Sequence, residues 1–427
     1  MNPDSVSVQD GLISAALTAV PFKRRVSMPA DPNAADAGAL KSFVTFAGPA
    51  AWRKRVLHLS ERAQPGSLAG RAAQQRHTLE LILARLDRPE IMAKAGRAER
   101  LVLGFAREVA GLARALPDAG RKRLRGMLAA GLTGEANLIP IFHLIRTASL
   151  LRSRGFEVSF DGLLHGSDHD LLIQRGGAAT EVVCETVSAE EGRPLHRGHW
   201  ASLVDRVNPE LQTWLAAHPG RYILKMTLPE GVSDTMQLAD LHARISTMLA
   251  DERRQDSSAD AVLKLDPLIL AGAQAASDPQ RALPARLRQL FGVEAHLAVT
   301  ADSASGSIFV MAARAGRENA ISQAVGRRLA TTAGARLSGK QPGILAVFLD
   351  DLEAAEWHSL RDTLELEGAV RRFLTEPVAR RVVAVTCTTR QEFFGVGAFV
   401  PEGELRFRNP GHPAAKLAGL EPAISSN

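Results

Sequence analysis

The side chains with the means to do chemistry concentrate between residues 135 and 228 of this 427-residue chain: Glu135, Asp170, Glu181, Glu185 and Lys225. Glu181 and Glu185 fall on one extended run and share a face with Val183, because strand side chains alternate. A second constellation, His165, Asp168, His169, His196 and His199, offers the imidazoles and carboxylate of a hydrolytic metal site. No HExxH helix spaces them, however, and polar residues beside a turn account for them as well. Ser303 to Ser307 do not form GxSxG, and Gly339-Lys340 lacks the upstream framework of a phosphate-binding loop. Cys184 lies within an apolar run and reads as core. Three of these candidates also have a plain structural explanation. Asp170 can close an Asx turn after Ser167-Asp168-His169, Glu135 can sit in the field of a helix start, and Lys225 can snorkel from a strand end.

The elements that must position these groups are legible from periodicity. Ile141 to Arg154 carries Phe142, Ile145, Ala148 and Leu151 on one stripe and stops at Gly155, as helices commonly do. Three strand-like runs follow, Phe156 to Phe160, Asp170 to Gln174 and Glu181 to Val187. The last two are joined across Gly176-Gly177, which supply positive φ for a hairpin. A helix from Ala201 to Ala217 is expected to bend at Pro209. Arg221 to Leu228 then alternates as a strand, with Tyr222, Leu224, Met226 and Leu228 on one face and Ile223, Lys225 and Thr227 on the other. Farther on come a helix at Met236 to Leu249, a strand at Ala261 to Leu270, a hairpin within 295–315 and a helix from Asn319 to Leu337. A buried strand at Gly343 to Leu349, a helix from Glu353 to Leu374, a strand at Val382 to Thr388 and a looped stretch over 395–414 complete the series. Strands alternating with helices make an α/β protein.

The order helix, strand, strand, strand, helix, strand over Glu135 to Leu228, with Glu135, Asp170 and a carboxylate-bearing third strand, resembles the PD-(D/E)XK, or restriction-endonuclease-like, superfamily. The resemblance implies an Asp at the start of the second strand and an acidic residue on the third holding Mg²⁺, with a Lys two positions later orienting the attacking water. Mg²⁺ prefers oxygen ligands and keeps waters, one of which becomes the nucleophile. On this chain the resemblance makes Asp170 with Glu181 or Glu185 the metal ligands, and Lys225 a stand-in for the missing ammonium group. A turn at Gly176-Gly177 sets Asp170 across from Val183 or Cys184, which puts Val183 and Glu185 in the acidic and Lys places. A register two residues longer puts Glu185 and Val187 there. Gln212 on the second helix matches a position where some relatives face nucleic acid.

Composition bounds the partners. Hydrophobic residues make up 45% of the chain and the net charge is +6. Residues 1–134 hold 21 Lys and Arg against 11 Asp and Glu, leaving 31 against 35 in the remainder. That first third reads as a loosely ordered leader over 1–40 and a basic helical lobe over 41–133. Arg53, Lys54 and Arg55, with Arg121, Lys122, Arg123 and Arg125, are available to phosphates, or form a solvated surface. The nuclease-like core spans 134–230 and a further α/β region 231–427. Two distant cysteines, Cys184 and Cys387, support neither a disulfide framework nor a thiolate zinc site. The N-terminus does not read as a signal peptide and no run is long and apolar enough to span a membrane, so a cytoplasmic location is expected. These readings converge on a nucleic-acid-associated protein, with DNA or RNA as partner and Mg²⁺ if it cleaves. The alternative is a noncatalytic assembly factor using the same core as a scaffold.

Overall fold

Apolar residues at helical spacing, punctuated by proline and glycine, build the first third of the chain. Helices α1 (Pro32–Ala47), α2 (Pro49–Arg62), α3 (Leu68–Arg76), α4 (Thr78–Arg85), α5 (Pro89–Met92), α6 (Arg97–Ala115) and α7 (Asp118–Gly131) follow one another. Pro49 and Pro89 stand in first turns, where a missing N–H costs nothing. The computed structural model describes residues 32–232, 234–268, 286–292, 294–302, 305–390 and 404–426. Most of the expected leader, 1–31, lies outside these residues, but from Pro32 the chain is helical. The reason is packing: Leu40, Phe43 and Ala47 fall on one stripe of α1 and are buried, with the Phe43 ring edge-on to Trp52 at 5.7 Å.

Next come α8 (Ile139–Ser153), β1 (Glu157–Ser159), α9 (Asp161–Leu164), β2 (Leu171–Arg175) and β3 (Ala178–Ser188). Gly176 and Gly177 turn the β2–β3 hairpin at φ 56° and 77°. The chain then leaves this layer. A second unit contains α10 (Arg197–Ala217), β4 (Arg221–Leu228), α11 (Thr235–Ala250), β5 (Gln255–Ser257) and β6 (Val262–Pro267), then a short helix α12 at 286–291, β7 (His296–Asp302) and β8 (Ser307–Ala315). Its two ends meet, because Ala320 N–H donates to Gly192 O at 2.7 Å. A Cβ on Gly192 would stand 2.5 Å from the Ile321 backbone, so only glycine permits the crossing. The chain returns through α13 (Ile321–Arg336), β9 (Gly343–Asp350), α14 (Ala354–Asp362), α15 (Glu365–Thr375), β10 (Val382–Thr389) and β11 (Leu405–Arg408).

Two sheets result. The first has the order β1-β2-β3-β9-β10-β11, with β3, β9 and β10 mutually parallel. The second has the order β5-β6-β4-β8-β7. In the first sheet α8 and the N-terminal helices cover one face in a continuous core with Val182, Ile344, Ala346 and Phe348. Helices α13, α14 and α15 cover the other with Val183, Leu345, Val347 and Val385. In the second, α10 and α11 pack on Leu224, Met226, Leu263 and Phe309.

Several expectations change. The helix at 201–217 and the strand at 221–228 do not complete the sheet begun by β1 to β3; β3 pairs instead with β9, and β4 pairs with β6 and β8. Helix α10 runs unbroken through Pro209, which is exposed, so its ring meets no packed neighbour that would force a bend. The long helix expected from Glu353 to Leu374 is two, because Leu364 adopts the left-handed region at φ 58° and redirects the chain. Trp357 and Phe373 thereby both reach the sheet. Of the looped C-terminal stretch expected over 395–414, residues 395–403 lie outside the described residues, and β11 forms within the rest.

Candidate functional site

Hairpin register decides where the carboxylates stand. Leu171 is opposite Val182, Asp170 N–H donates to Val182 O at 3.0 Å, and Cys184 N–H donates to Asp170 Oδ2 at 2.7 Å. Asp170 therefore lies across from Val183, the shorter of the two registers, and Glu185 follows two residues on. Val183 and Glu185 point to the face covered by α13, whose stripe Arg328, Thr332, Arg336 passes over them at one residue per turn.

The result is a cation bridging two carboxylates. Arg336 Nη2 donates to Asp170 Oδ1 at 2.9 Å, while Nη1 lies 3.6 Å from Glu185 Oε2 and donates to Cys184 O at 3.3 Å. Its Nε donates to Asp168 O at 2.9 Å, so every nitrogen of the guanidinium fork has a partner. Glu185 also accepts from Thr332 Oγ1 at 3.4 Å and lies 3.8 Å from Arg328 Nη1. Burial pushes the Asp170 carboxyl above its ordinary value, a penalty that Arg336 and the Cys184 N–H only partly offset. The Cys184 thiol is driven well above its usual range, chiefly by burial and then by Asp170, so it is no nucleophile at neutral pH.

Glu181 is buried and committed elsewhere. It accepts from Ser338 N at 2.9 Å and from Ser338 Oγ. His169 lies between two acids, with Nε2 3.5 Å from Asp161 Oδ2 and Nδ1 3.9 Å from Glu181 Oε1. The acids face opposite ring nitrogens and so share no point at which both could join His169 on one ion. Among the described residues no three His, Cys, Asp or Glu side chains gather as a metal requires. The donor set around Asp170 does not fit Mg²⁺ as it stands, because both Asp170 oxygens are already taken by nitrogen donors.

The remaining candidates disperse. Glu135 is exposed beside Arg62, whose hydrogen bond lowers its carboxyl below the ordinary value, and it makes no contact with Asp170, Glu181 or Glu185. Lys225 is in the second sheet, 3.0 Å from Asp266. Gln212 is exposed on α10, in the same unit. Of the cations, Arg53 and Lys54 are exposed on α2, but Arg55 is 3% exposed and cannot meet a phosphate. Its guanidinium donates to Gly134 O at 2.6 Å and to Ala136 O, and lies 3.5 Å from Glu80, pinning α2 to the start of α8. Arg121, Lys122, Arg123 and Arg125 all emerge from α7. Arg121 pairs with Asp118, Arg123 donates to Leu163 O at 2.8 Å, and Arg125 stacks 5.2 Å over the Phe46 ring. This basic face borders the segment 161–170 that carries Asp161, His169 and Asp170. His196 and His199 stack on each other at 5.3 Å where the second unit begins.

Two groups escaped sequence reasoning. Arg328, Thr332 and Arg336 have a visible signal, polar residues every fourth position on a helix whose neighbouring stripe Ile321, Val325, Leu329 is apolar. The other lies at the carboxyl ends of β3 and β9. Asp351, at φ 55°, accepts from Arg76 and Ser188, each at 2.7 Å, while Asp350 accepts from Asn137 at 3.0 Å and from Arg390. These groups satisfy one another and tie the helical lobe to the sheet. Comparison of the chain with protein-family models, with curated proteins and with solved structures finds no match.

Proposed function

We propose that this chain is a nucleic-acid-binding protein on a restriction-endonuclease-like core that binds without cutting. Support for the core comes from element order. With the unit from Arg193 to Ala320 set aside, α8, β1, β2, β3, α13 and β9 run helix, strand, strand, strand, helix, strand, interrupted by the one-turn α9 between β1 and β2, and β9 lies parallel to β3. The places implied for the acid and the Lys hold Val183 and Glu185. The observation that carries the reading is Arg336, a fixed cation bridging Asp170 and Glu185 where a cleaving relative would need a metal. An arginine neutralises the carboxylates but brings no activated water. The exposed cations of α7, which packs against α9, supply contacts to the phosphate backbone, which fix position and orientation.

The test is incubation of the full chain with DNA and RNA, single- and double-stranded, in Mg²⁺ or Mn²⁺. Expected are salt-dependent binding, no metal-dependent cleavage, and weaker binding of Arg121→Gln/Lys122→Gln/Arg125→Gln. Cleavage that disappears in Asp170→Asn would overturn the non-cutting part. Failure to bind any of the four forms at low salt would overturn the whole reading.

A further inference from the structure

The open face of the second sheet breaks a rule that the first sheet keeps. Registered pairs set Lys225 directly opposite Lys264, with Asp266 one alternation along β6 and Arg314 beside Thr227 on β8. Facing residues of this kind have Cα atoms about 4.5 to 5.5 Å apart, and like charges there repel. A single carboxylate serves both lysines: Asp266 lies 3.0 Å from Lys225 and 3.8 Å from Lys264. The ammonium groups stay open, their side chains 46% and 58% exposed. Arg314 is exposed on the same face, and Val262, on the other side of Thr227, is 38% exposed.

The described residues cover only part of this face. Its apolar part, Ile223, Val310 and Ala312, is closed by Leu287 of α12. Among the described residues no helix packs on the basic part, across β6, β4 and β8, whereas the opposite face is covered by α10 and α11. We infer that this basic part is a second docking surface for the phosphate backbone of a nucleic acid, with Lys225, Lys264 and Arg314 as its contacts. The occupant follows from charge: Lys225, Lys264 and Arg314 outnumber the acids beside them, Asp266 at the lysines and Glu294 near Arg314, and complement a repeating anion. No aromatic side chain lies on that part of the face, so contact is to phosphates rather than to stacked bases. The inference rests on the nucleic-acid reading above and adds a surface on the opposite unit from α7.

The experiment follows binding of short fluorescent DNA and RNA oligonucleotides to the full chain by anisotropy over a KCl series. Lys225→Gln/Lys264→Gln is expected to lower the slope of log affinity against log salt by about two and weaken binding roughly tenfold or more near 0.1 M salt. Lys225→Arg/Lys264→Arg keeps the slope. Bound oligonucleotide also shields Lys225 and Lys264 of the unaltered protein from acetylation, a readout that requires no variant to fold. An unchanged slope together with unshielded lysines overturns the inference while leaving the α7 surface intact. A wild type that binds no oligonucleotide removes both, as does one that binds only phosphatidylserine vesicles.

Discussion

The two sheets handle charge in opposite ways. In the first, helices cover both faces, and all eight residues of β9 and all eight of β10 are buried. A carboxylate there must be paired, and Asp170, Glu181, Glu185, Asp350 and Asp351 all are. In the second, α10 and α11 cover one face while, among the described residues, only the short α12 packs on part of the other; β4 largely alternates buried and exposed, and two lysines confront each other in water. Double coverage forces a sheet to settle its charges internally; single coverage leaves charge free for a partner. The difference decides where charge is accessible: the carboxylates of the first sheet are engaged by arginine, serine and backbone donors, and the second presents two exposed lysines that share one carboxylate.

The sharpest way to break the contrast is to remove core from each sheet. Phe348→Ala, at a side chain with 0% exposure in the first sheet, is expected to cost about 3 to 5 kcal/mol. Thr227→Ala on the open face of the second should cost under about 0.5 kcal/mol. Urea unfolding of both variants checks this, and equal losses would erase the distinction between the sheets.

Acid comes next. Burial holds His143 at about 4, with Nε2 bonded to Ala346 O at 2.8 Å, so the ring is neutral in the folded protein. A depressed folded value stabilises above the unfolded value of 6.5 and loses that contribution as pH falls toward 4. The loss is about 3 kcal/mol. His296 in the second unit is lowered to about 4 as well, so His143→Gln should remove only part of the acid sensitivity. Unfolding midpoints between neutral and mildly acidic pH measure it, and a variant with the wild-type slope would exclude His143 as a source.

Smaller is the arginine bridge. Arg336→Met leaves Asp170 and Glu185 facing each other without a shared cation and should cost roughly 1 to 3 kcal/mol. Adding Asp170→Asn should recover part of that, since contacting residues are not additive. Additive losses would mean that the bridge is not a bridge. The smallest effect is expected from Lys264→Gln, which relieves the repulsion with Lys225 and should raise stability by a few tenths of a kcal/mol at low salt, less at high salt.

Much of the local structure was open to reading without coordinates. Gly176-Gly177 fixed a hairpin, the stripe Phe142, Ile145, Ala148, Leu151 fixed α8, and the run Gly343 to Leu349 announced a buried strand. Partner choice was misread at one point. Arg221 to Leu228 follows β1 to β3 as the next strand, and adjacency in sequence made it their neighbour. The alternation of Lys225 and Thr227 with apolar residues already argued otherwise, because a central parallel strand covered on both faces is apolar throughout, as β9 is.

From its own letters the chain determined which segments become helices and strands, where the tight turn falls and that the first third is basic, since these depend on neighbours a few residues away. Only tertiary structure decided that β3 takes β9 as partner and that α13 brings Arg336 onto Asp170 and Glu185. It alone set Lys225 against Lys264 on an open face. Strand pairing and charge neutralisation join residues far apart in sequence, and alternation in one strand states which side is buried without stating which strand lies beside it.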